Sequence, residues 1–106
     1  MYLTKDNGKG SPAAKTVDVK TTDKVFHCIL DLKPLAADTE FTGTLIALEA
    51  AGVKNFEVTS TKINAGKGLT SIDFKFSLPR PWPKGKYRVA IQNGNVPVKA
   101  INFDIK

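Results

Sequence analysis

Alternation of apolar and polar positions is sharpest over residues 71–78, where Ile72, Phe74, Phe76 and Leu78 share one parity and Asp73, Lys75 and Ser77 the other. A period of two predicts a strand with one dry and one wet face. A second such run spans residues 86–92, with Tyr87, Val89 and Ile91 inward and Arg88, Ala90 and Gln92 outward. Between the two runs, Pro79, Pro81 and Pro83 stiffen the chain and Gly85 releases it, which predicts a rigid corner carrying it from one sheet to another. Asn93-Gly94 then predicts a tight hairpin, because both residues accept the positive φ of primed turns. The returning strand ends with Ile101, Phe103 and Ile105 inward. Val96 and Val98 have the opposite parity, so a bulge is expected near residues 97–99.

The first half is less regular. Over residues 25–32, Phe26, Cys28, Leu30 and Leu32 share one face and Val25, His27, Ile29 and Asp31 the other. Residues 40–49 place Phe41, Leu45 and Ala47 on one parity and Ile46 and Leu48 on the other. Residues 47–51 also suit a helix, but Thr42, Thr44 and Ile46 favour sheet. Residues 56–63 are Thr-rich, as in an exposed strand. Residues 1–5 form a short strand, residues 6–12 a loop, and Thr16, Val17 and Val19 a brief edge strand. Seven principal strands emerge, with turn signals roughly every eight to twelve residues and no helix. This predicts an all-β fold: a seven- to eight-stranded antiparallel Ig-like β-sandwich with Greek-key connections, one domain over residues 1–106.

The order Pro83-x-Gly85-x-Tyr87-x-Val89-x-Ile91, then Asn93-Gly94 and a final alternating strand, resembles the last two strands of immunoglobulin-like and fibronectin-type-III-like domains. The resemblance implies a tyrosine corner, in which the Tyr87 hydroxyl bonds back to the main chain, with Gly85 and Pro83 as its structural partners. Trp82-Pro83-x-Gly85-x-Tyr87 is also similar to small sandwich domains of bacterial secreted proteins and lipoproteins. The sharp part covers residues 78–105, and the first half fits by strand count. The paired cysteines and intervening tryptophan of antibody domains are absent. The resemblance implies a non-catalytic interaction or spacer module of a bacterial envelope or secreted protein. The location implied is periplasmic or at the cell surface, with a protein or carbohydrate partner; the cysteine usage also permits a cytoplasmic one.

Charge adds one alternative. The formal net charge is +6, and it is unevenly placed. Residues 1–53 carry six lysines against seven acids, whereas residues 54–106 carry ten basic groups against Glu57, Asp73 and Asp104. The basic half could bind an anionic ligand, an acidic polysaccharide or nucleic acid, if Lys62, Lys75, Arg88 and Lys99 gather on one sheet face. Sequence-specific nucleic-acid binding is not expected, because aromatic side chains suited to base stacking are scarce there apart from Trp82. No apolar run approaches the ~20 residues of a membrane span. The N-terminus shows no signal-peptide pattern, so export would imply a leader already removed.

Candidate chemistry is sparse. His27 and Cys28 are the single residues of their kinds and adjacent. Neighbours in a strand point to opposite faces, so they do not share an ion, and one of each falls short of a zinc site. The same geometry denies a Cys–His catalytic pair. The expectation is a core Cys28, a surface His27, no metal or other cofactor, and no enzyme. Gly66-Lys67-Gly68 lacks the earlier glycine and the Ser/Thr of a phosphate loop. Trp82, flanked by Arg80, Lys84, Lys86 and Arg88, either stacks on a ligand or caps the open end of the sandwich.

Overall fold

The structure is a computed structural model that describes the chain except for Gly10, Val17, Ala51 and residues 78–81; the side chains of residues 14–16, Asp18 and Val53 are likewise not described. Its strands are β1 (Tyr2–Asp6), β2 (Pro12–Thr16), β3 (Asp18–Val19), β4 (Val25–Asp31), β5 (Thr39–Ala50), β6 (Val53–Ala65), β7 (Ser71–Ser77), β8 (Gly85–Asn93) and β9 (Val96–Ile105). They form a four-stranded sheet in the order β2-β1-β4-β7 and a five-stranded sheet in the order β3-β9-β8-β5-β6. All pairings are antiparallel except β3 with β9, which run parallel through Asp18–Asp104 and Val19–Ile105.

Among the described residues nine strands stand where seven or eight were expected. The extra ones come from the segment read as a loop and one brief strand. It divides into β2, in the four-stranded sheet, and β3, in the five-stranded one. Pro12 opens β2 because β2 is an edge strand, where the missing N–H leaves no ladder bond unmade. Val17, expected in that strand, lies outside the described residues. Residues 47–50 are strand and not helix.

The core forms where the inward faces of the two sheets meet. Phe26, Cys28, Leu30, Ile72, Phe74 and Phe76 come from one sheet, and Phe41, Leu45, Tyr87, Val89, Ile91, Phe103 and Ile105 from the other. Phe26 is the centre of the aromatic packing, 5.6 Å from Phe76, 5.3 Å from Trp82 and 5.6 Å from Phe103 between ring centroids. The expected bulge is present: Ile91 faces Lys99 while Gln92 faces Pro97, so Val98 is the extra residue. The β8–β9 turn has Gly94 at φ 59°, and Asn95 has no positive φ, the pattern of a II′ hairpin.

The register also places the two ends of the chain. Ile105 pairs with Gly85, and the Thr21 N–H donates to the Lys106 carbonyl, so the chain finishes beside the corner between β7 and β8. Tyr2 pairs with Ile29, three residues along β1 from the Lys5–Phe26 pair near that corner. The first residues therefore point toward the pole that holds the β8–β9 turn, and the last residues lie at the other pole.

Candidate functional site

The corner carries the residues singled out in the sequence. Gly85 has φ 153°, and a Cβ there would lie 2.2 Å from the Glu49 carbonyl oxygen and 2.6 Å from the Ala50 Cβ. Only glycine lets β8 start this close to β5. Two residues on, Tyr87 is buried, stacks on Phe103 at 5.9 Å, and its hydroxyl donates to the Pro83 carbonyl at 2.6 Å. Burial pushes its pKa up from the ordinary tyrosine value. The hydroxyl thus ties the exposed end of the corner to the strand it leads into.

Trp82 is 1% exposed and sits T-shaped against Phe26, while its main-chain N–H donates to the Thr21 carbonyl at 3.1 Å. A ring so placed has no face to offer a ligand; it closes the end of the core. Its indole Nε1 is buried without a hydrogen-bond partner among the described residues. Arg80 lies outside the described residues. Lys84 and Lys86 are exposed, and Arg88 donates from Nε to the Asn102 side chain at 2.8 Å. Lys86, Tyr87 and Phe103 with Leu48, Asn102 and Asp104 line an open hollow of about 210 Å³.

The other basic residues do not converge. Lys62 and Arg88 face outward from the five-stranded sheet, opposite Thr42 and Ile46. Lys75 belongs to the four-stranded sheet, and Lys99 lies beside the bulge toward the β8–β9 turn. Acids interleave with them: Glu49 is opposite both Lys54 and Lys86, and Asp104 is opposite Lys86.

His27 corrects the expectation of a surface histidine. It is on the outward parity of β4 yet 0% exposed. Its Nδ1 lies 2.7 Å from Asp73 Oδ1 and its Nε2 lies 2.7 Å from Asp6 Oδ1. The register explains the reach. His27 stands opposite Thr4 on β1 and Lys75 on β7, and the two aspartates are its diagonal neighbours. With a carboxylate oxygen 2.7 Å from each ring nitrogen, neither nitrogen faces open space where a substrate or a metal could approach. Thr4 Oγ1, on the residue opposite, is buried without a partner among the described residues. Among the described residues no group of three or more His, Cys, Asp and Glu side chains could hold a metal ion. Outward parity for both His27 and Asp73 was the available signal in the sequence; the pairing of β4 with β7 was not.

Cys28 faces the core between Phe26 and Leu30 and is buried. Burial pushes its pKa up to about 12, with the nearby N-terminal ammonium opposing and Asp73 adding to the rise. Such a thiol is neither nucleophile nor ligand at neutral pH.

These features define a class by architecture: an all-β protein of two packed sheets, closed at one pole by a tryptophan and a tyrosine-pinned corner. No family model matches the sequence, and no curated protein matches it well enough to count as a relative. Among the described residues no helix is long and apolar enough to cross a membrane.

Proposed function

We propose that the protein is an Ig-like Greek-key sandwich serving as a non-catalytic interaction or spacer module of a bacterial envelope or secreted protein, outside the cytoplasm. The fold part of this reading is supported by the pairing of β4 with β7 and of β5 with β8 across intervening elements, together with the Tyr87–Pro83 bond. The groups able to do chemistry are committed to architecture: Tyr87 to Pro83, His27 to two aspartates, Cys28 and Trp82 to the core.

The observation that carries the functional reading is the position of the ends. β1 enters running toward the corner pole and β9 leaves at that pole, so the module passes a chain onward instead of folding it back. Two copies joined tail to head, studied by small-angle X-ray scattering, test this. The longest dimension is expected to approach twice that of a single copy; a tandem hardly longer than one copy overturns the spacer reading.

The anionic-ligand alternative draws support from the charge of the second half, but the scatter of Lys62, Lys75, Arg88 and Lys99 over both sheets favours the spacer. Heparin chromatography separates the two. Elution at modest salt is expected, since dispersed lysines give only screened, non-specific attraction. Retention above physiological salt that is lost on Lys62→Ala with Arg88→Ala overturns the preference.

A further inference from the structure

Among the described residues, β6 is the longest of the strands that end a sheet, at 13 residues, against seven in β7, five in β2 and two in β3. Its free side presents a row of backbone donors and acceptors to any strand that arrives. Phe56 on this strand is 56% exposed although it lies opposite Ala47, on the core side of the sheet. Proteins blunt such edges with charge and bulges, and β6 has both, in Lys54, Lys62 and the extra residue Val58.

The bulge, however, sets the strand in phase with itself. The β5 partners serve as a ruler. Asn64, Lys62, Ser60 and Glu57 stand opposite Glu40, Thr42, Thr44 and Ile46, evenly spaced on the outward face. Ile63, Thr61, Thr59 and Phe56 stand opposite Phe41, Gly43, Leu45 and Ala47 on the inward face. Reversing β6 about the Ser60 position lays Lys62 over Glu57, Thr61 over Thr59 and Ile63 over Phe56. Every match keeps its face, as a two-fold axis perpendicular to an antiparallel sheet requires. Skipping Val58 is what brings Glu57 and Lys62 onto one face at equal distances from Ser60.

We propose that β6 is a dimerisation edge: two copies of this chain pair antiparallel through it about a two-fold axis at Ser60, joining their five-stranded sheets into one of ten strands. The contact makes Glu57–Lys62 pairs twice on the outward face and covers each exposed Phe56 with the other copy's Ile63. Main-chain bonds supply the attraction, and the side-chain matches select the register. Neither Glu57 nor Lys62 has an ion-pair partner in its own chain among the described residues. Both charges are thus available to a second copy. This inference stands apart from the spacer reading, since a spacer can be monomeric or paired side by side.

The test is sedimentation equilibrium of the full chain across a range of concentrations, with charge-swapped variants. Wild type is expected to show a monomer–dimer equilibrium. Glu57→Lys and Lys62→Glu should each weaken dimerisation about tenfold, because each turns two attractive contacts into repulsive ones. The double variant should restore the wild-type dissociation constant. All these positions are exposed, so the variants retain the fold, and circular dichroism verifies it. Ser60→Cys provides an independent readout: two thiols facing each other at the axis should form an intermolecular disulfide under mild oxidation, whereas Asn64→Cys should not. A wild type that stays monomeric into the high micromolar range overturns the proposal. So does an association that the single swaps leave unchanged, or that the double variant fails to restore, which would place the contact elsewhere, as at exposed Val96 and Val98.

Discussion

Substitution of Tyr87 separates the two ways in which the corner holds the sandwich together. Tyr87→Phe keeps the ring stacked on Phe103 and removes only the hydroxyl that bonds to Pro83. Pro83 itself is exposed, so the carbonyl left behind can be hydrated and escapes the full penalty of a buried unpaired acceptor. The expected cost is therefore about 1 kcal/mol, the net value of one hydrogen bond. Tyr87→Ala removes the ring as well, from a site that is 1% exposed, and opens a cavity beside Phe103. The expected cost is about 3–5 kcal/mol. Against a total stability of about 5–15 kcal/mol, the first change shifts a urea transition and the second can abolish much of the folded population. Gly85→Ala is the companion test: its Cβ meets backbone of β5 at 2.2 Å, which cannot swing aside as a side chain would. Overpacking and the strained φ should each cost about 1–3 kcal/mol, well above the Tyr87→Phe value. Equilibrium urea unfolding followed by tryptophan fluorescence and circular dichroism gives all three values. A Tyr87→Ala protein as stable as the parent, or a Tyr87→Phe protein as unstable as the alanine variant, would refute the account of the corner.

Trp82→Ala should destabilise by about 3–5 kcal/mol, and Trp82→Phe by distinctly less, since phenylalanine also sheds the buried, unpartnered indole N–H; urea unfolding followed by circular dichroism checks both. Cys28 should resist thiol reagents until denaturant is added. Its pKa is raised in the folded protein, so the stability it contributes is whole below the unfolded thiol's pKa and falls between about pH 9 and about pH 12, by up to about 1.4 kcal/mol per pH unit; a Cys28→Ala variant should lose less over that window. His27→Leu removes the ring whose two nitrogens Asp6 and Asp73 contact. It should cost about 1–3 kcal/mol, less than breaking a wholly buried pair because the Asp73 side chain keeps 38% exposure. Adding Asp73→Asn to that variant should recover part of the loss; additive losses would show that the three residues are not coupled.

Where one face of a strand is buried and the other wet, the residues themselves report it. That is why β7, β8 and the end of β9 are legible from their alternation, and why the parity change at Val96 and Val98 announces a bulge. Residues 47–50 are a harder case, since alanine and leucine favour helix, yet the β-branched Thr42, Thr44 and Ile46 before them belong to the same strand. Parity identifies a face, but it does not say whether that face is covered. His27 is on the outward face of β4 by count and is wholly buried in fact, because Asp6 from one neighbouring strand and Asp73 from the other close on its two nitrogens. Neither contact can be read along the chain, for each depends on which strand lies beside β4 and at what offset. The same holds for β6. Its Thr-rich sequence reads as an exposed strand with a mixture of charges, and the symmetry of Glu57 and Lys62 about Ser60 becomes visible only when the β5 register removes Val58 from the count. The fold is thus written in local alternation. The Asp6–His27–Asp73 cluster and the self-complementary edge arise at the next level, from register between strands distant in sequence or in a second copy.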